Sequence, residues 1–292
     1  MKRNTHRFFG TMLALVALFT LIGCGRQTAA KPLPAGTEVH VPILMYHHFS
    51  DEPNDSTIVS AETFRRQLEF IKKSGYTAIS LDELYAFVTY GTPLPEKPVC
   101  ITIDDGYYSN YSIAYPILCE LEMKATIFPV GWCIGKSEYK DTGAAIFPHF
   151  GFDEMREMLD SGYIFIGSHT YDMHQSRIYE TAEARPNVLP LANESRESYV
   201  AALTADLEKY SILFRAETGK EFTALAYPEG AYDSTSEEVI HSFGIPITLS
   251  TSTERHNYVI VGEPDSLHAL CRLNVTEQMS DDELLSWLTG AD

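Results

Sequence analysis

From residue 41 onward, short apolar runs alternate with segments whose apolar residues keep helical spacing. The runs are Pro42 to Tyr46, Val99 to Ile103, Thr126 to Val130, Tyr163 to Gly167, Thr223 to Tyr227, Pro246 to Leu249 and Leu270 to Val275. This alternation is the signature of repeated β-α units around a parallel sheet or barrel, here with seven strands. Between them, Phe64, Leu68 and Ile71 form one helical stripe, and Val200, Leu203, Leu207, Tyr210 and Phe214 form a longer one, both of which read as core. Ser60 and Ser80, each followed by acidic residues, mark helix starts. Gly75 and Gly91 mark stops. Residues 131–150 and 174–194 lack a period and read as long loops, the kind that shape a substrate site at a barrel mouth.

The N-terminus departs from this pattern. Lys2, Arg3 and Arg7 precede an apolar run from Phe8 to Ile22, and Cys24 follows. Residues 1–23 therefore read as a signal peptide, since the run falls short of the roughly 20 residues that span a bilayer. The segment resembles that of bacterial lipoproteins, which implies that Cys24 carries a lipid and holds the chain to the membrane outside the cytoplasm. Residues 24–40, rich in small residues and proline, read as a tether. The remainder, 41–292, is about 250 residues and suits one α/β domain.

Loss of residues 1–23 removes three basic groups and no acid, moving the net charge from −18 to −21. Nucleic-acid binding is excluded on that balance, because phosphate contacts need clustered Lys and Arg. The acidity either serves solubility or repels anionic polymers. Cys100, Cys119, Cys133 and Cys271 are widely spaced; disulfides are open to an exported chain, but apolar surroundings favour buried free thiols.

Three clusters carry candidate chemistry, and each follows a predicted strand. Val99 to Ile103 runs into Asp104-Asp105-Gly106. Adjacent carboxylates repel unless a cation or shared proton relieves them, although a plain Asp-Gly turn has the same sequence. Ile166-Gly167-Ser168-His169 continues to His174, supplying two imidazoles that with a carboxylate make a zinc-type ligand set. The first run delivers Tyr46-His47-His48. In a parallel α/β barrel the C-terminal strand ends share one face, where active sites form.

Thr102-Ile103-Asp104-Asp105-Gly106 and Ser168-His169-Thr170 with His174 resemble the first two motifs of the polysaccharide deacetylases, carbohydrate esterase family four. The similarity runs over residues 41 to 289. It implies a distorted (β/α)7 barrel and a hydrolase that removes acetyl groups from N-acetylated sugars. It further implies Asp104 as base, with Asp105, His169 and His174 holding a divalent metal ion. Zinc is the expected occupant, with nickel, cobalt or iron accepted by the same donors. Tyr227-Pro228-Glu229-Gly230 resembles the third motif, a groove-wall loop whose backbone N–H helps hold the oxyanion.

Three departures from the family pattern stand out. The histidines are separated by four residues instead of three, Leu225-Ala226 stands where an arginine usually opens the third motif, and Leu267-His268 is a poor match to the late leucine-x-histidine motif. They resemble the poly-N-acetylglucosamine deacetylase branch, where an N-terminal Tyr-His supplies the catalytic acid. By that analogy His47 is the acid and His48 the second choice. Arg272 either replaces the missing arginine near Asp104 or makes a structural salt bridge. The expected partners are an N-acetylated polysaccharide, from exopolysaccharide or cell wall, and the membrane through Cys24. The rival is an inactive carbohydrate-binding lipoprotein of the same fold.

Overall fold

The computed structural model describes residues 31–180, 183–251 and 256–290. The signal segment 1–23 and Cys24 lie outside the described residues, as does the tether up to residue 30. Among the described residues, no helix is long and apolar enough to cross a membrane.

All seven expected strands form: β1 (Ile43–Tyr46), β2 (Pro98–Asp105), β3 (Ala125–Pro129), β4 (Ile164–Ile166), β5 (Ala224–Ala226), β6 (Ile247–Leu249) and β7 (Leu273–Asn274). They pair in parallel, β7 on β1, β1 on β2, β2 on β3 and β3 on β4, while β5 pairs with β6. Two single bridges, Ser168 to Leu225 and Leu249 to Leu270, connect β4 to β5 and β6 to the segment entering β7. The strands thus follow one another around a ring in chain order, with ladders at five contacts and thin seams at two. That is a distorted (β/α)7 barrel. β1 and β3 are buried along their whole length, and β2 everywhere except at Asp105, as strands covered by helices require.

The outer helices are α1 (Ala61–Lys73), α2 (Leu81–Tyr90), α3 (Tyr115–Glu120), α4 (Phe152–Asp160), α5 (Arg196–Thr218), α6 (Ser234–Phe243) and α7 (Asp281–Thr289). Ser60 caps α1 and Ser80 forms a capping box with Glu83 on α2, as their positions predicted. Gly91 closes α2 at φ +67° and also lets Leu33 approach, since a Cβ there would lie 2.6 Å from the Leu33 carbonyl oxygen.

Two expectations need correction. The tether read as 24–40 is docked from Leu33 on: Leu33 N–H bonds Gly91, Gly36 N–H bonds Val261, and Glu38–His40 pairs antiparallel with Tyr258–Ile260. Small residues and proline describe an extended segment equally well when its hydrogen bonds go to a neighbouring strand. Thr77–Ile79, not foreseen as a strand, pairs with the first residues of β2. Cys100, Cys133 and Cys271 are buried free thiols, and Cys119 is half-buried and free.

Candidate active site

The barrel separates the two adjacent carboxylates. Successive strand residues point to opposite faces, and at the end of β2 Asp105 takes a left-handed φ of +71°, which costs about 1–2 kcal/mol for a non-glycine residue. Gly106 follows at φ +79°, where a Cβ would lie 2.6 Å from Pro129. The sharp turn gives each carboxylate its own partners, and these outweigh the repulsion that Asp104 still exerts on Asp105.

Asp104 turns to Arg272. The two guanidinium nitrogens donate to its two oxygens at 2.7 and 2.8 Å. Arg272 Nε donates to the Ser250 carbonyl at 3.1 Å and Nη1 to Thr102 Oγ1 at 3.3 Å. Arg272 is 0% and Asp104 2% exposed, so this is a buried, bidentate pair. Burial by itself pushes the Asp104 carboxyl up; the Arg272 charge and hydrogen bonds, with His169 and His47 nearby, outweigh it and hold it at about 2. The salt bridge expected of Arg272 is thus present, and its partner is Asp104.

Asp105 turns to the two histidines. His169 Nε2 and His174 Nε2 each lie 3.7 Å from its Oδ1. His169 Nδ1 is 2.8 Å from the Ala226 carbonyl and His174 Nδ1 is 3.0 Å from that of Pro186. A carbonyl only accepts, so in the neutral rings the hydrogens sit on Nδ1 and both Nε2 lone pairs face Asp105. One carboxylate oxygen and two imidazole nitrogens at this spacing fit a divalent metal ion with a position left open. Burial lowers the His169 pKa to about 4, which keeps that ring neutral.

The loop between the histidines is tied at several points. Gly167 has no room for a side chain, since a Cβ would come within 2.3 Å of Phe128. Thr170, at φ +68°, donates its N–H to Ser168 Oγ at 3.1 Å. Asp206 of α5 accepts the N–H groups of Tyr171 and Asp172, both at 2.7 Å. Its carboxyl is raised to about 6 by burial, against the pull of those two hydrogen bonds. Asp206 escaped the sequence reading, although an acid three residues from Leu203 on an apolar stripe was the available signal.

A cleft of about 780 Å³ opens above Asp105 and His174. As expected, the segments 131–150 and 174–194 build most of it, through Trp132, Tyr139, Phe147, His149, Arg177 and Tyr179 among others. Tyr107, immediately after the Asp-Asp-Gly turn, also lines it. The Asp105 charge and burial push the Tyr107 hydroxyl far up, keeping it protonated.

Of the three residues expected at the groove wall, Glu229 lines the cleft. It sits at φ +56° and is held by Arg177 at 2.7 and 3.0 Å and by Asn187 at 2.7 Å. Tyr227 and Pro228 are buried instead, and the Tyr227 hydroxyl donates to Glu237 at 2.8 Å, away from the cleft. A tyrosine ring that follows a barrel strand packs inward where apolar neighbours surround it and a half-buried carboxylate accepts from its hydroxyl.

His47 follows β1. Its carbonyl is held by Asn110 Nδ2 at 2.7 Å, and its buried Nδ1 has no partner among the described residues. It lies near enough to Asp104 and Asp105 to help lower the pKa of both carboxyls. His48 is committed elsewhere, with Nδ1 2.8 Å from Ser109 Oγ and its ring against Tyr107 and Phe147.

Comparison with known proteins bears on this geometry. The family model described as polysaccharide deacetylase matches residues 91–248, a span that contains Asp104, Asp105, His169, His174 and Glu229. The chain belongs to the polysaccharide deacetylase family. The YxkH protein of Bacillus subtilis (strain 168), named with the polysaccharide deacetylases, is 28% identical over 240 residues, covering 82% of this chain and 73% of that one. The poly-β-1,6-N-acetyl-D-glucosamine N-deacetylase of Escherichia coli (strain K12) is 28% identical over 201 residues, covering 60% of this chain and 28% of its own length. Among solved structures, a de-N-acetylase from Aggregatibacter actinomycetemcomitans shares the fold with a TM-score of 0.73 at 20% identity, covering 85% of this chain and all of that one. The family membership agrees with the barrel and with the resemblance of the first two motifs.

Proposed function

We propose that this chain is a metal-dependent hydrolase that removes N-acetyl groups from an N-acetylglucosamine-containing polysaccharide at the cell envelope. The observation that carries the reading is the convergence of Asp105, His169 and His174, with both Nε2 atoms turned inward, at the floor of a cleft beside the Arg272-held Asp104. The named activities of the relatives support the substrate class, and the segment from Lys2 to Cys24 supports the location.

A divalent ion held by Asp105, His169 and His174, with zinc the first choice, would supply Lewis-acid chemistry to the acetamide carbonyl and the attacking water. Asp104, ionised at any working pH, takes the proton from that water. A backbone N–H near Glu229, at the cleft wall, would stabilise the charge that develops on the former carbonyl oxygen. His47 gives a proton to the departing amine, so that the products are acetate and a free amino sugar. The aromatic rings of Trp132 and Phe147 in the cleft wall offer flat apolar surface to the sugar rings.

Acetate and amine release from N-acetylglucosamine oligomers by the full-length chain, with and without chelator and beside Asp104→Asn, tests the reading. Metal-dependent release that vanishes in Asp104→Asn supports it. Glycan binding without release under several metals would hand the site to the carbohydrate-binding reading.

A further inference from the structure

The chain that follows the Asp-Asp-Gly turn folds back onto the strand end that carries His47. β1 pairs with β2 as far as Tyr46 and Ile103, so His47 is the first residue beyond that ladder. There the Asn110 side chain takes the place of a neighbouring strand, its Nδ2 donating to the His47 carbonyl at 2.7 Å. Asn110 is 0% exposed and Ser109 7%. Ser109 Oγ accepts the Phe49 N–H at 3.1 Å and lies 2.8 Å from His48 Nδ1. Two buried polar side chains thus grip three successive residues, His47, His48 and Phe49.

The grip has a backbone of its own. Asn110 opens a single π turn, Asn110–Ala114, in which its carbonyl accepts the Tyr115 N–H; such turns are rare and gather at functional sites. The His47 carbonyl only accepts, which fixes the amide with Nδ2 toward it. Burying an amide costs free energy wherever its hydrogen-bonding groups stay unmet, and Asn110 Oδ1 has no partner among the described residues. An apolar residue would fill the same volume without that cost, so the bond to His47 is what the amide contributes. His169 and His174 are each oriented through Nδ1 by a carbonyl. His47 Nδ1 has no such partner among the described residues, and the hold on its position comes through its backbone.

We propose that Asn110 is the positioning residue of the acid: by fixing the His47 backbone it holds the imidazole where the departing amine can take its proton. The inference rests on the reading of His47 as the acid. It gives the segment 104–110 a joint task, since one short stretch of chain then carries the base Asp104, the metal ligand Asp105 and the brace of the third group. Displacing a reacting group by about 1 Å costs on the order of 10²-fold in rate, which sets the scale of the effect.

Two acetyl substrates separate this role from a merely structural one. An N-acetylglucosamine oligomer loses an amine that needs the proton, whereas para-nitrophenyl acetate loses a phenolate that departs without it. The ratio of the metal-dependent rates on the two, measured on one preparation of the full-length chain, does not depend on the fraction folded. His47→Gln is expected to lower the acetamide-to-ester ratio by about 10²- to 10⁴-fold, and Asn110→Ala by about 10- to 10²-fold with metal content unchanged. Added to His47→Gln, Asn110→Ala should change the ratio no further, because it acts through the residue already removed. An Asn110→Ala ratio equal to the parent's beside a lowered His47→Gln ratio overturns the inference and leaves the acid in place. An unchanged His47→Gln ratio overturns the acid reading and the inference with it, and a further fall in the double variant overturns the inference alone. Should Asn110→Ala lose both activities, the near-isosteric Asn110→Leu is measured in the same way, and loss of both there too overturns it.

Discussion

Replacing Arg272 by methionine probes the reasoning most directly, because a cation is removed from a place that water does not reach. Arg272 is 0% exposed and Asp104 2%, and breaking a buried pair by deleting one partner costs about 3–5 kcal/mol, chiefly because the other charge is left uncompensated. The fall of the Asp104 pKa from 3.8 to about 2 itself corresponds to about 2 kcal/mol of folded-state preference at neutral pH. In the parent, that stability is present above pH 3.8 and is lost as pH falls through about 2. In Arg272→Met burial acts with no guanidinium to oppose it, so the folded pKa rises above 3.8 and the sign inverts. Acidification then relieves the variant, and the stability gap to the parent narrows between neutral pH and pH 4. Urea unfolding followed by the fluorescence of Trp132 and Trp287, in chelator so that metal linkage drops out, measures the gap at each pH. The acid limb of the deacetylation profile should also move upward. A loss under about 1 kcal/mol, or a gap independent of pH, would refute the account of the pair.

Three further changes have expected outcomes. His47→Gln should lower kcat by about 10²- to 10⁴-fold with metal content unchanged, as acetate release and metal analysis will show. Asp206→Ala leaves the Tyr171 and Asp172 N–H groups without their acceptor; each buried orphan costs about 1–3 kcal/mol, and metal affinity should weaken by about 10–100-fold. Asp206→Asn, which keeps one acceptor oxygen, should fall between parent and Asp206→Ala in a metal titration. Gly167→Ala drives a methyl to within 2.3 Å of Phe128 and should cost about 1–3 kcal/mol or more, read as a lower melting temperature, with metal affinity reduced because His169 lies two residues on.

The strands and the three strand-end clusters were legible in the chain because parallel strands covered on both faces need continuous apolar runs, and because barrel chemistry collects where those runs stop. His169, His174 and one carboxylate of the Asp104-Asp105 pair could be grouped on donor chemistry, and the resemblance to the family chose Asp105. The docking of Leu33 to His40 could not, since an extended segment carries no periodic signal and its partners are distant, Gly91 for Leu33 and Tyr258–Ile260, more than two hundred residues on, for Glu38–His40. The strand Thr77–Ile79 is too short to rise above its surroundings.

By itself, then, the order of residues determined the class of fold, the family and the types of donor, because each rests on local pattern. Tertiary structure decided the pairings. It sent Asp104 to Arg272, 168 residues away, and Asp105 to the histidines, resolving a choice between cation and shared proton that adjacent acids leave open. It also turned Tyr227 into the core and brought Asn110 to the carbonyl of His47. Such choices depend on which groups closure of the ring brings within a few ångströms, and charge interactions at that range are set by distance and burial rather than by neighbours in the chain.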